Sequence, residues 1–295
     1  MTWIYLVLVA QFINAVVVLV DRHLIVSPEI QKPVIYTFYV GIMSGVVVAV
    51  LPFGLVSIPS LSVIWFSFLA GVTFIASLFF LYSALKVSDA SDVSPAVGAV
   101  SAISTLLFSA WLLRSNITDN FLYGFVLLVI GTLLMSYFRL SGKSAYFLVI
   151  SGILFGLSSV LVKMVFNHTT FWNGFFWSRM ANVIGVLLLL LLPANRRAIF
   201  GNVKKSPVAT KWAILINKVL AGGAFILILY AIKLGDVSIV NALAGVQFAF
   251  LLILAIIFTK KFPEYFHEDI HNKKIIAQKL VATVLIAGGL ALLFI

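Results

Sequence analysis

The sequence predicts an all-α membrane protein in which ten transmembrane helices form two inverted five-helix repeats around a central cavity. Three observations lead to this class. Of the 295 residues, 63% are hydrophobic and only 10% are charged. The apolar residues come in runs of about 20, the length at which a helix crosses the hydrocarbon of a bilayer while satisfying its own backbone. A stretch of the first half of the chain also recurs in the second half.

The apolar runs define the predicted spans in order. The first run has no basic residue ahead of it and no small-residue cleavage site after it, which favours a spanning helix over a signal peptide. The connections between runs are short, except for 193–211 and 259–278. The ten predicted spans are 2–24, 34–56, 62–86, 92–113, 119–138, 144–166, 171–192, 211–234, 237–258 and 278–295.

An internal repeat divides the chain into two halves. The stretch "ALKVSDASDVSPAVG" (84–98) aligns without a gap with "AIKLGDVSIVNALAG" (231–245), 147 residues later. The match includes Lys86 with Lys233 and Asp89 with Asp236. We assign residues 1–138 to the first repeat, 139–145 to a linker and 146–295 to the second. Because each half has an odd number of spans, the second half enters the membrane from the opposite face, as in transporters built from inverted repeats.

The same residues carry a family resemblance. The two sets of five spans, the stretch "LYSALKVSDASDVSPAV" and its counterpart "LYAIKLGDVSIVNAL" resemble the EamA-like branch of the drug/metabolite transporter superfamily. The resemblance covers the whole chain. It implies ten helices around a central cavity and movement of a small metabolite by alternating access. It does not imply a substrate, because members of the family differ widely in what they carry.

The motif "HEDIH" (267–271) raises a different possibility, an intramembrane metalloenzyme. The pattern His-Glu-x-x-His can hold zinc on a helix, with the glutamate as general base. The motif lies in a hydrophilic connection between two pairs of lysines, and the other histidines, His23 and His168, lie at the ends of different spans. We therefore expect no metal, no cofactor and no enzymatic activity. We interpret the segment as a short amphipathic helix in the interface.

Charge placement predicts the orientation. Fifteen Lys and Arg residues lie in the connections after spans one, three, five, seven and nine, and three lie on the opposite face. The positive-inside rule places the fifteen in the cytoplasm and both termini outside, whereas typical members of the resembling family have both termini inside. The net charge of +11 favours contact with anionic lipid rather than nucleic acid. The fifteen are Arg22, Lys32, Lys86, Arg139, Lys143, Arg196, Arg197, Lys204, Lys205, Lys211, Lys260, Lys261, Lys273, Lys274 and Lys279, and the three are Arg114, Lys163 and Lys233.

The remaining two basic residues are the main candidates for a binding site. Arg179 and Lys218 lie deep in spans seven and eight, and no Asp or Glu lies equally deep. A charge at this depth costs at least about 2.5 kcal/mol, so such residues usually face a cavity or a partner. Snorkelling towards the interface, or a structural hydrogen bond, is the alternative.

Uncharged polar residues in the spans complete the predicted substrate-binding set. Asn182 follows Arg179 by three residues and so shares its helical face. Taken singly, such amides more often join helices than bind a ligand. Their concentration on spans one, three, seven, eight and nine favours a shared polar cavity. The full set is Arg179, Lys218, Asn182, Asn217, Asn14, Gln11, Tyr82, Tyr230, Asn241 and Gln247.

These observations predict a multi-pass transporter of a small polar metabolite in the cell membrane, as a monomer or homodimer. The two deep bases favour an anionic or zwitterionic substrate, and the amides alone would suit neutral nucleosides or sugars. The absence of a deep carboxylate disfavours proton-coupled export of cations. A non-transporting membrane scaffold is the third class.

Overall fold

The fold was analysed in a computed structural model that describes residues 2–24, 33–88, 90–115, 119–136, 142–200, 208–261 and 273–293. Within these ranges the chain is helical and contains no strand, which confirms the all-α class. The helices are α1 (Thr2–Leu24), α2 (Pro33–Met43), α3 (Leu61–Leu85), α4 (Ala90–Phe108), α5 (Asp119–Leu134), α6 (Gly142–His168), α7 (Phe171–Leu189), α8 (Pro193–Phe200), α9 (Val208–Leu234), α10 (Val237–Ala242), α11 (Gly245–Lys261) and α12 (Lys273–Leu292).

Long apolar helices dominate the fold. Among the described residues, five helical segments are long and apolar enough to cross a membrane, and the bent pair α7–α8 makes a sixth if it counts as one span. Shorter apolar helices lie at Thr2–Val18, Phe121–Leu134, Val219–Leu234 and Ala277–Leu292. The architecture is compatible with a multi-pass membrane protein. The five long segments are Pro33–Phe53, Leu61–Leu85, Asp92–Leu113, Gly142–His168 and Val237–Leu254.

The outward surface of these helices is apolar. Trp111 is 75% exposed, Val46 is 72% exposed and Val284 is 70% exposed, although each lies within an apolar helical segment. Apolar patches of this extent are rare on soluble monomers and are typical of surfaces that contact lipid or a partner. The exposed side chains therefore agree with the class that the composition predicts.

Local irregularities interrupt some helices. The segment Ser44–Phe53 continues α2 as a 3₁₀-helix, and Ser109–Leu113 ends α4 in a π-helical turn before Arg114, whose φ is 52°. Leu243 and Ala244 separate α10 from α11. The short helix α8 bends away from α7 by 105°. The residues of α8 fall in a predicted connection, but Ile199 on α8 is buried and Phe200 packs edge-on against Phe38 of α2.

Small residues let several helices approach closely. A Cβ atom on Gly156 would lie 2.8 Å from the backbone nitrogen of Thr105, and one on Gly152 would lie 2.6 Å from Val100. The two glycines of "GILFG" (152–156) therefore let α6 approach α4 closely. In "GIMSG" (41–45), a Cβ atom on Gly41 would overlap Val186 of α7. Such close approach is the usual role of small-xxx-small motifs in membrane helices.

Most extensive helix contacts join elements that are distant in sequence. Helix α3 packs against α6 and α7, and α4 packs against α6 and α10. Helix α1 packs against α9 and α11, and α5 packs against α12. Helix α2 and the 3₁₀ segment pack against α7. Each of these pairs joins a helix of the first predicted repeat to one that lies wholly or mostly in the second, since α6 begins within the predicted linker.

Candidate functional site

Arg179 lies near the middle of α7 and is almost completely buried. It is eight residues from Phe171, where α7 begins, which corresponds to about 12 Å along the helix axis. Only 6% of its surface is exposed. Its Nε atom has no hydrogen-bond partner among the residues that the structure describes. A guanidinium has five N–H donors, so Arg179 is a buried cation with unused donor capacity.

Aromatic rings surround the Arg179 guanidinium. Its central carbon lies 4.8 Å from the ring centroid of Phe225 on α9 and 5.5 Å from that of Phe74 on α3. Phe74 in turn packs edge-on against Phe155 of α6, with the ring centroids 5.7 Å apart. A desolvated cation–π contact contributes about 2 kcal/mol, which offsets part of the cost of burying the charge. The rings accept no conventional hydrogen bond, so the N–H groups remain available for an oxyanion.

Asn182 lies one turn further along α7 and is fully buried. Its Nδ2 donates to Ser44 Oγ at 3.3 Å, and its Oδ1 has no partner among the described residues. Ser44 is the first residue of the 3₁₀ segment that follows α2. Arg179 and Asn182 therefore place two unsatisfied polar atoms on one face of α7, where it meets α2, α3 and α9.

Three more of the predicted residues meet where α1 packs against α9. Asn14 Nδ2 donates to Gln11 Oε1 at 3.4 Å within α1. Asn217 Nδ2 donates to the carbonyl oxygen of Val17 at 3.2 Å, which joins α9 to α1. Gln11 and Asn217 are both buried. Asn217 lies on the same helix as Phe225, eight residues earlier and therefore about 12 Å away along the axis.

The remaining predicted residues lie in separate contacts. Asn241 of α10 donates to Thr105 Oγ1 of α4 at 2.6 Å. Tyr82 packs edge-on against Tyr36, and Tyr230 packs edge-on against Phe171. Gln247 is half-buried on α11. Lys218 lies on α9, and its side chain is outside the described part of the structure.

Several residues around the site were not predicted from the sequence. Phe74, Phe155 and Phe225 are three of 26 phenylalanines, so composition gives no signal that singles them out. Ser44 could have been suspected, because it is a polar residue inside an otherwise apolar run. The side chains that lie against the Arg179 guanidinium can therefore be recognised only from the three-dimensional structure.

Lys163 and Lys233 hold the ends of two helices together. Lys163 Nζ on α6 donates to the carbonyl oxygens of Ile232, Lys233 and Gly235 at 2.8, 3.1 and 2.6 Å. Lys233 Nζ on α9 donates in return to the carbonyl oxygens of Phe166 and Thr169. Each lysine thus supplies a donor to the carboxyl end of the other helix, where carbonyl groups lack partners and the helix dipole favours a cation.

We expect Lys163→Met to lower the free energy of unfolding of the purified protein by about 1–3 kcal/mol, because three carbonyl oxygens lose a charged donor. The measurement is thermal unfolding in one detergent. Lys86→Met is the matched control, since Lys86 is an exposed lysine at the carboxyl end of α3. Equal unfolding temperatures for the two variants would contradict the assignment.

The zinc motif "HEDIH" (267–271) lies outside the described residues. Among the residues that are described, no group of three or more His, Cys, Asp or Glu side chains could hold a metal ion. The site built around Arg179 contains a guanidinium, amides, a hydroxyl and aromatic rings.

Comparison with known proteins supports the fold alone. No family model matches the chain, and no curated protein matches it. The chain is similar to a solved crystal structure described only as that of a protein, with a TM-score of 0.70 and 17% sequence identity. The similarity covers 99% of this chain and 96% of that one. The fold therefore also occurs in another protein.

Proposed function

We propose that the protein is a ten-span transporter that moves a small organic anion or zwitterion across the cell membrane by alternating access, as the resemblance to EamA-like transporters implies. The observation that carries the proposal is the buried Arg179 guanidinium, with an unpartnered Nε and aromatic rings around it. A static membrane scaffold gains nothing from an unsatisfied charge near the middle of a helix. A transporter uses one to bind a substrate of opposite charge.

The pattern of helix contacts supports the inverted repeat. In such a repeat, α1 would correspond to α6, α3 to α9, and α4 to α10–α11. The contact of α3 with α6 would then have its counterpart in the contact of α9 with α1. The contact of α4 with α6 would have its counterpart in the contact of α11 with α1. Likewise, α5 would correspond to α12, and α2 with its 3₁₀ segment would correspond to α7. The pairs α5–α12, α4–α10 and α2–α7 then each consist of two corresponding helices in contact with each other. All of these contacts are present. Two halves related in this way can rock against each other about a site between them.

The substrate class follows from the groups around Arg179. Phe74 belongs to the first predicted half, whereas Arg179 and Phe225 belong to the second, so the guanidinium lies at the boundary between the halves. Its planar fork can bind a carboxylate or phosphate through two parallel hydrogen bonds. In surroundings this apolar, a positive charge attracts anions and repels cations. Lys218 is a second basic residue on the neighbouring helix α9.

A neutral polar substrate is the second candidate. Asn182 Oδ1 is a buried acceptor without a partner among the described residues, and an amide can hydrogen-bond the hydroxyl groups of a sugar or nucleoside. On this alternative the charge of Arg179 would contribute little to affinity. Substrates with and without a carboxylate therefore discriminate the two candidates.

The test of substrate class is uptake by proteoliposomes that contain the purified protein, with protein-free vesicles as the control. The panel consists of carboxylic acids, amino acids, phosphate esters, sugars, nucleosides and organic cations. We expect saturable uptake of members that carry a carboxylate or phosphate. Preference for organic cations would contradict the proposal, and preference for sugars or nucleosides would favour the second candidate.

The fifteen-to-three distribution of Lys and Arg predicts that the connection 194–211 is cytoplasmic. Because the chain contains no cysteine, a single cysteine in place of Ser206 reports on this connection alone. We expect Ser206→Cys to resist a membrane-impermeant thiol reagent in intact cells and to react after lysis. Labelling before lysis would show that the connection lies outside the cell and that the orientation is the opposite one.

A further inference from the structure

A hydrogen-bond network joins the connection before α3 to the beginning of α7. Asn173 is 3% exposed and uses both ends of its amide. Its Oδ1 accepts from the backbone N–H of Ser57 at 3.0 Å and from Trp177 Nε1 at 3.2 Å. Its Nδ2 donates to Thr169 Oγ1 at 2.9 Å. Trp177 Nε1 also donates to the carbonyl oxygen of Ser57 at 3.2 Å.

The network continues to the ends of α6 and α9. Lys233 on α9 donates to the carbonyl oxygen of Thr169 at 2.7 Å, and Lys163 on α6 donates to the carbonyl oxygen of Gly235 at 2.6 Å. The indole ring of Trp3, near the start of α1, lies against Gly235 so closely that a Cβ atom there would be 2.4 Å from it. These contacts therefore connect the helices at one end of the bundle, from Trp3 on α1 to Trp177 on α7.

The residues of this network come from both predicted halves of the chain. Trp3 and Ser57 belong to residues 1–138, whereas Asn173, Trp177 and Gly235 belong to residues 146–295. The contacts lie where α1, α3 and α7 begin and where α6 and α9 end. They therefore join the two halves towards the end of the bundle where α7 begins, and Arg179 follows Trp177 by two residues on α7.

We propose that this network is a gate, and that the structure shows it closed. The inference rests on the proposed function, because alternating access requires the two halves to separate at one face and then at the other. Separation at this end must break the two bonds to Ser57 and the packing of Trp3 on Gly235. Each such hydrogen bond contributes only a small net free energy. The network can therefore hold this end closed and still allow it to open. The bonds among Thr169, Asn173 and Lys233 lie within one half and move with it.

Cross-linking across the network tests the gate. The protein contains no cysteine, so Ser57→Cys/Asn173→Cys places one thiol on each side of the proposed opening. We expect a short bifunctional thiol reagent with a reducible linkage to abolish substrate exchange in proteoliposomes, and reduction to restore it. The matched control is Thr169→Cys/Asn173→Cys, whose two positions lie within one half, so exchange should continue after cross-linking. Complete Ser57–Asn173 cross-linking with undiminished exchange would overturn the gate while leaving the transporter assignment intact.

A second measurement does not require flux. A cysteine at Ser44, beside Asn182, is expected to react slowly with an impermeant thiol reagent applied from the network side of the membrane. Asn173→Ala removes the acceptor of two bonds and should raise that rate about fivefold or more. Thr283→Ala, which removes a hydrogen bond to the carbonyl oxygen of Lys279 within α12, is the control and should leave it unchanged. Equal rates in the two variants would overturn the gate even if no transported substrate is found.

Discussion

Arg179→Gln is expected to reduce exchange of the preferred anion by about 100-fold, because it removes two charge-assisted hydrogen bonds to the substrate. Arg179→Lys keeps the charge but lacks the planar fork, so it should retain part of the activity, with a loss of about tenfold. The measurement is the initial rate of exchange in proteoliposomes, normalised to the amount of folded protein. Ser178→Ala is a suitable control, because Ser178 is buried beside Arg179 and bonds only to Phe175 within α7.

The same variants separate a binding role from a structural one. Because no described hydrogen bond or ion pair holds the guanidinium, replacing it should not lower the unfolding temperature, and Arg179→Leu should maintain or raise it. If the cation–π contacts were its only purpose, the variants would unfold more easily and activity would fall only in proportion to the folded protein. Wild-type exchange by well-folded Arg179→Gln would contradict the binding role.

Gly71→Ala is expected to destabilise the protein by about 1–3 kcal/mol through overpacking. A Cβ atom at Gly71 would lie 2.5 and 2.7 Å from the backbone carbon and oxygen of Ala181, on the opposing helix α7. Backbone atoms cannot move aside as a flexible side chain can, so α3 and α7 would have to separate. Because Ala181 is two residues from Arg179, the displacement should also weaken substrate exchange.

Gly222→Ala on α9 provides the matched comparison. A Cβ atom at Gly222 meets nothing within 4 Å, so the substitution should be neutral or slightly stabilising through higher helix propensity. Thermal unfolding in one detergent compares the two variants. Equal unfolding temperatures would show that the close α3–α7 contact is not required for stability.

The helical class could be predicted because it depends on composition and run length, which are properties of the sequence alone. Helix α1 (Thr2–Leu24) coincides with the first predicted span, because apolar residues predominate from Thr2 to Val18. The break at Leu243 and Ala244 could not be predicted in this way, because both residues are ordinary in an apolar helix. Helix α8 was missed because "PANRRAIF" has the hydrophilic character of a connection.

The candidate site was only partly accessible from the sequence. Arg179 and Asn182 could be recognised as polar residues that cost free energy in an apolar span, and their spacing places them on one face. Their partners could not be found, because Phe74 and Phe225 are chemically indistinguishable from the phenylalanines on the exposed surface. Asn241 shows that a polar residue in a predicted span need not lie beside Arg179. Its side chain donates to Thr105 and joins α10 to α4.

The most direct test of alternating access is counterflow in proteoliposomes. Vesicles are loaded with a high concentration of an unlabelled anion that the uptake panel identifies as a substrate, and the labelled form is added outside. A carrier that alternates between two faces should transiently accumulate label above its outside concentration, and Arg179→Gln should abolish the overshoot. Uptake that merely equilibrates without an overshoot, or no protein-dependent uptake of any solute, would contradict the account.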